Sequence, residues 1–133
     1  MIRPTIQFPG TCAEAMALYE TVFETSDKQV EFLRDALRDE DIYREGEAGN
    51  RVMHAGMTLN GTPFNFSDMD QPAVAGNMCL FNVFFSTPEA VVAAHGKLAT
   101  GGRIDVPLGP QFFSPMYGSV VDRFGIKWQL ICA

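Results

Sequence analysis

Leu80-Phe-Asn-Val-Phe-Phe85, then Ser86-Thr-Pro-Glu89, then Ala90-Val-Val-Ala-Ala-His-Gly-Lys-Leu98 reads as strand, cap and helix in direct succession. The aromatic and β-branched run suits a strand, Thr87 is placed to cap a helix, and Pro88 suits its first turn. Gly101-Gly102 then ends the helix. The same order occurs earlier: Thr5-Ile-Gln-Phe8 leads through Pro9-Gly-Thr11 into Cys12-Ala-Glu-Ala-Met-Ala-Leu-Tyr-Glu-Thr-Val-Phe23. Ala15, Met16, Tyr19, Val22 and Phe23 recur at steps of three and four, the spacing of a buried helical stripe. Each unit also closes alike. Val52–Leu59, Asn60-Gly61 and Thr62–Ser67 predict a hairpin on the strongest short turn signal, and Tyr117–Val121, Asp122-Arg-Phe-Gly125 and Ile126–Ile131 predict its counterpart. Val30–Leu33 and Arg103–Val106 supply the remaining strands.

The fold class expected is therefore α+β, two βαβββ modules forming curved mixed sheets around a cavity. Module one spans 1–69 with an acidic insertion at 24–50, module two spans 77–133, and together they form one domain. A chain of 133 residues with 47% apolar content agrees with a single core. The insertion carries nine acidic residues and four basic ones, which accounts for most of the net charge of -6. It reads as a solvated connection and the most mobile part of the fold, with Leu33, Ala36 and Leu37 on a short helical face. Docking of a basic partner is its other reading.

Charge and composition exclude several roles. An acidic chain repels phosphate backbones, so no nucleic-acid partner is expected. No apolar run approaches the ~20 residues that cross a bilayer, so no membrane partner is expected. The start, Met1-Ile-Arg-Pro-Thr5, lacks the basic and apolar regions of a secretion signal. Three widely spaced cysteines form neither a disulfide framework nor a thiolate zinc site, and the expected compartment is the reducing cytoplasm.

Strand alternation selects the candidate site. Ile6, Phe8, Phe64, Phe66, Trp128 and Leu130 should pack under the helices, which puts Arg3, Thr5, Gln7, Asn65, Asn82 and Gln129 on the opposite face. If the sheets curve toward each other, those amides and that guanidinium line a small-molecule cavity. His54 shares this face with Gly56 and Thr58, as a ligand contact or a hydrogen-bonded structural residue. Arg3 can clamp an anionic oxygen pair or form a rim salt bridge. Phe112, Phe113, Met116 and Tyr117 read as core packing that also offers an aromatic cavity wall. His95 is expected on the solvent side of its helix, and Cys79 and Cys132 in the core. Cys12 is either a small helix-opening residue or a thiol whose pKa the helix N-terminus lowers.

Phe8-Pro-Gly-Thr-Cys-Ala-Glu-Ala-Met16, Tyr19, Phe23, Val52-Met-His-Ala-Gly56, Leu59-Asn-Gly61, Tyr117-Gly118 and Asp122-Arg-Phe-Gly125 with Trp128 together resemble the vicinal oxygen chelate superfamily. The group includes glyoxalases, extradiol dioxygenases and bleomycin- or fosfomycin-resistance proteins, and the chain is most similar to its PhnB-like branch, often labelled demethylubiquinone methyltransferase-like. The Gly-rich strand-to-helix loop of an S-adenosylmethionine enzyme does not occur. In metal-dependent members two His and one Glu commonly hold the ion, and the resemblance puts those positions on Arg3, Leu80 and Gln129. Arginine has no lone pair to give and leucine no ligand atom, so no metal and no cofactor are expected. The function implied is a small-molecule binding protein of this fold, its ligand unidentified. The alternative is an enzyme of the same fold, of lyase, isomerase or transferase type, using a recruited metal or oxyanion stabilisation by Arg3 and His54. A scaffold whose acidic segment docks a partner is a third reading. Two small modules and the supply of Phe and Met side chains also predict a homodimer, with Ile2-Arg-Pro4 and Met78-Cys-Leu80 at or beside the contact.

Overall fold

The structure, a computed structural model, describes residues 1–36 and 48–133. In chain order these form β1 (Thr5–Phe8), α1 (Cys12–Val22), β2 (Thr25–Phe32), α2 (Leu33–Ala36), a 3-10 turn (Ala48–Asn50), β3 (Val52–Leu59), β4 (Thr62–Asp68), β5 (Phe81–Phe85), α3 (Pro88–Ala99), β6 (Arg103–Gln111), β7 (Ser114–Val121) and β8 (Lys127–Cys132). Two compact units result: Met1–Glu20 with Glu24–Ala73, and Thr21–Phe23 with Val74–Ala133. Each holds an open four-stranded mixed sheet, ordered β1-β4-β3-β2 in the first and β5-β8-β7-β6 in the second. In both, the first strand runs parallel to the last and the remaining pairs are antiparallel. The repeated strand-helix-three-strand order of the sequence is thus an α+β fold with one topology used twice.

The first unit is organised by its hairpin and by one buried helical stripe. Asn60 and Gly61 take φ of 44° and 89°, the left-handed pair that a two-residue turn needs to match strand twist. Asn60 also binds the start of β2, its N–H donating to Glu24 O and its Oδ1 accepting from Glu24 N. Cys12, Ala15, Met16 and Tyr19 of α1 are buried, as are Ile6, Phe8, Ala55, Met57, Leu59, Phe64 and Phe66 of the sheet. Burying such a large apolar side chain contributes ~1.5–3 kcal/mol. Alternation holds along β1 and β4, and breaks once in β3. The register with β2 shifts there, so Met53 and His54 are both exposed between buried Val52 and Ala55.

Strand β2 is longer than Val30–Leu33, beginning at Thr25. Its exposed Ser26, Asp27 and Lys28 hide the strand from an alternation test: Ser26 pairs with Thr58 and the ladder resumes at Gln29 with Gly56, while Asp27, at φ 55°, and Lys28 fall at the register shift between them. Leu37 and residues 38–47 of the acidic segment lie outside the described residues.

In the second unit Thr87 caps α3, its Oγ1 accepting from Ala90 N at 3.2 Å, with Pro88 in the first turn. Val91, Ala94 and Leu98 pack beneath Val120, Trp128 and Leu130, all buried. Trp128 lies 4.9 Å from the ring of Phe23 and 5.3 Å from that of Phe81. Its Nε1 donates to Asp122 Oδ2 at 2.9 Å, while Asp122 Oδ1 accepts from Phe124 N and Ile126 N. One carboxylate therefore closes the β7–β8 turn and anchors the indole.

Three expectations are corrected here. His95 is 4% exposed and points at β7, not at solvent. A Cβ on Gly118 would come within 2.7 Å of its Cδ2, so the absence of a side chain at 118 is what admits the imidazole. Cys79 is exposed because it lies in the exposed connection before β5 and not in the strand itself; Cys132 is buried in β8. Strand β6 runs past Val106 to Gln111. Its two prolines are accommodated at the edge of the sheet with repeated register shifts.

Candidate functional site: the polar sheet faces

Strand pairing converts scattered polar residues into rows, since directly paired residues share a face. In the first sheet Thr5 pairs with Asn65, Asn65 with Gly56 and Gly56 with Gln29. In the second, Asn82 pairs with Gln129, Gln129 with Ser119 and Ser119 with Val106. These rows occupy the same strands in the same order, so Thr5 corresponds to Asn82 and Asn65 to Gln129. Ile6, Phe66 and Ala55 turn to the helix side of the first sheet, and Val83, Leu130 and Gly118 do so in the second. Gly56 leaves room beside Asn65, whose Oδ1 is buried and accepts no hydrogen bond within the described residues. An amide oxygen withdrawn from water without a donor costs ~1–3 kcal/mol, which an incoming N–H or O–H can recover.

The next residues along the strands differ between the sheets. In the first, Gln7 pairs with Ser67 and both are polar. In the second, Phe84, Ile131 and Tyr117 form an apolar row. Phe84 is 59% exposed, and Phe113 (52% exposed) meets the Tyr117 ring edge-on at 5.2 Å. Phe112 is fully exposed at the β6–β7 turn, so the apolar segment 112–117 is not mainly core: only Tyr117 of its four large side chains is buried.

The remaining candidates stand apart from these rows. Arg3 precedes β1, is exposed, and points its Nη2 at Met1 Sδ at 3.9 Å. His54 is exposed and pairs across the ladder with Glu31. Ser119 and Gln29 escaped the sequence reading. Ser119 was within reach: counting back from the Asp122–Gly125 turn pairs Val121 with Lys127, hence Ser119 with Gln129. Gln29 was not, because its strand shows no alternation.

Cys12 opens α1, yet its thiol is not activated. Burial pushes it up to about 12, and the negative charge of Asp68 adds to the rise. Asp68 Oδ1 accepts from Gly10 N and Cys12 N, and its Oδ2 from Val52 N, so this carboxylate is a clasp for the first unit. Arg3, Leu80 and Gln129 offer at most one amide oxygen to a cation, a donor set that does not fit a divalent metal. Among the described residues no three His, Cys, Asp or Glu converge as metal ligands, and no helix is long and apolar enough to cross a membrane.

Comparison with known proteins supports the fold. The family model described as 3-demethylubiquinone-9 3-methyltransferase matches residues 1–131. A solved Bacillus cereus structure described as a putative 3-demethylubiquinone-9 3-methyltransferase, PhnB protein, is 29% identical with a TM-score of 0.81, covering 99% of this chain and 98% of that one. Protein PA1353 from Pseudomonas aeruginosa is 25% identical with a TM-score of 0.80, over 99% and 96%. The fosfomycin resistance protein FosX from Listeria monocytogenes, solved with Mn(II), shares the fold at 10% identity and a TM-score of 0.66, over 98% and 90%.

Proposed function

As a member of the 3-demethylubiquinone-9 3-methyltransferase family, PhnB-like within the vicinal oxygen chelate superfamily, we propose that this chain is a small-molecule binding protein working without that superfamily's metal triad. The observation that carries the reading is the pair of equivalent polar rows, with the Asn65 Oδ1 buried and unpaired in one of them. Thr5, Gln7 and Asn65 supply hydrogen-bonding groups on the first sheet, and Asn82 and Gln129 on the second, where Phe113 and Tyr117 add aromatic surface. Arg3 and His54 serve as peripheral polar contacts. A ligand of matching character is polar along one edge and apolar along another.

The test is a thermal-shift screen of protein purified without chelators against divalent metals and a panel of polar metabolites. A metabolite that raises Tm and loses its effect in Asn65→Ala supports binding at the first row, and one that loses it in Gln129→Ala supports binding at the second. Gln129→Ala alone should leave stability within ~0.5 kcal/mol, as a half-buried residue on the open face. A stoichiometric divalent ion in the purified protein, or turnover dependent on one, would replace the reading with a metal-assisted enzyme.

The proposed assembly is a homodimer. Strands β1 and β5 are sheet edges, and the segments before them expose Ile2, Met78 and Cys79. Light scattering on a gel-filtration peak gives twice 14.7 kDa if this is right, and 14.7 kDa across a dilution series if it is not. The exposed thiol at Cys79 accords with a reducing compartment, and the cytoplasm is the proposed location.

A further inference from the structure

At the turn end of the second sheet, Arg103 pairs with Val121 and Val121 with Lys127, on the open face two residues along β7 and β8 from Ser119 and Gln129. Arg103, Val121 and Lys127, with Ala75, Gly76, Asn77 and Gly125, line a notch of about 340 Å³, at the lower end of small-ligand sites. We infer that this notch is a binding site for a small phosphate-bearing anion, held by Arg103 and Lys127.

The charge arrangement supports this. Asp105 falls at the register shift between Ile104 and Val106. It accepts from Arg103 Nε at 3.1 Å and lies 3.4 Å from Lys127 Nζ. The hydrogen bond from Arg103 is the main reason its carboxyl is held below the usual range, with Lys127 adding to it. Two cations thus share one ionised carboxylate, which leaves one positive charge facing the notch. Arg103 commits only Nε to Asp105, and its two Nη groups, which have no hydrogen-bond partner among the described residues, form a fork for an oxyanion. Lys127 keeps a side chain only 25% exposed with a loose ionic contact, an arrangement that a second anion completes. The other carboxylate near this turn, Asp122, is taken up by backbone N–H groups and the Trp128 indole. Residues 74–133 hold four basic and three acidic residues in a chain of net charge -6, so the cationic patch sits on the one part of the sequence that does not repel an anion.

The experiment is an amide-resolved NMR titration with inorganic phosphate and with a small sugar phosphate, at constant ionic strength set with chloride. Saturable shifts at Gly76, Asn77 and Gly125 are expected for both. Arg103→Ala, which alters a mostly exposed side chain, should weaken binding about tenfold by removing the fork. Asp105→Asn should tighten it several-fold by releasing both cations, with the binding still saturable. Linear, unsaturable shifts, or saturation unchanged in Arg103→Ala, would overturn the site. Failure here leaves the polar rows untouched, because Arg103, Asp105 and Lys127 take no part in them.

Discussion

Replacing Trp128 by Phe separates the two things this residue does. The benzyl ring still meets Phe23 and Phe81, whose centroids lie 4.9 and 5.3 Å from the indole, but the Nε1–H to Asp122 Oδ2 is lost. A hydrogen bond to an ionised group contributes ~1.5–3 kcal/mol, and the smaller ring leaves a void costing ~1 kcal/mol, so Trp128→Phe should cost about 2.5–4 kcal/mol. Trp128→Ala removes the packing as well, at ~3–5 kcal/mol for the truncation alone. Asp122 is 2% exposed, so losing the indole donor leaves a carboxylate oxygen poorly compensated. A cycle with Asp122→Asn should give a coupling of about 1–2 kcal/mol. Urea unfolding followed by far-UV circular dichroism is the assay, because the chain has one Trp and its fluorescence disappears with the substitution. Trp128→Phe within ~0.5 kcal/mol of the parent, together with zero coupling, would show that the indole bond contributes nothing and that the turn alone holds Asp122.

Three further outcomes test other parts of the fold. Gly118→Ala should cost about 1–3 kcal/mol, because the new methyl meets His95 Cδ2 at 2.7 Å and Leu108 Cδ2 at 3.2 Å; His95→Ala in the same chain should restore part of the loss, and no rescue in thermal melts would place the strain elsewhere. Iodoacetamide at pH 8 should label exposed Cys79 and leave Cys12 unmodified in the native protein, since burial and Asp68 push the Cys12 thiol up to about 12; equal labelling by mass spectrometry would refute that. Asp105 is held below its unfolded value of ~3.9, so it stabilises the fold above that pH and the contribution fades as pH falls through the lower folded value. Asp105→Asn should therefore flatten the acid limb of the stability profile, and an unchanged limb in acid titration would remove this group from the account.

The repeat, the hairpin at Asn60-Gly61, the Thr87 cap and the phase of Ile6, Phe8, Phe64, Phe66, Trp128 and Leu130 were legible from the sequence. Each rests on a local rule: a turn's dihedral demand, a cap's hydrogen bond, or a period of two or nearly four that decides which side meets a helix. What tertiary structure decided was set by neighbours distant along the chain. Strand β2 exists because β3 offers a ladder on either side of the register shift at Asp27-Lys28, pairing Ser26 with Thr58 and Gln29 with Gly56, so this edge stretch needs no apolar face. His95 is buried because position 118, far along the sequence, has no side chain. The Cys12 thiol is pushed up first by its burial and then by Asp68, which the parallel β1–β4 pairing brings beside it. Asn65 and Gln129 could be named singly from alternation, but only the strand register aligns Asn65 with Thr5 and Gly56, and Gln129 with Asn82 and Ser119. Periodicity reports which face a residue takes; which residues share that face across strands depends on register, and register is a property of the folded sheet.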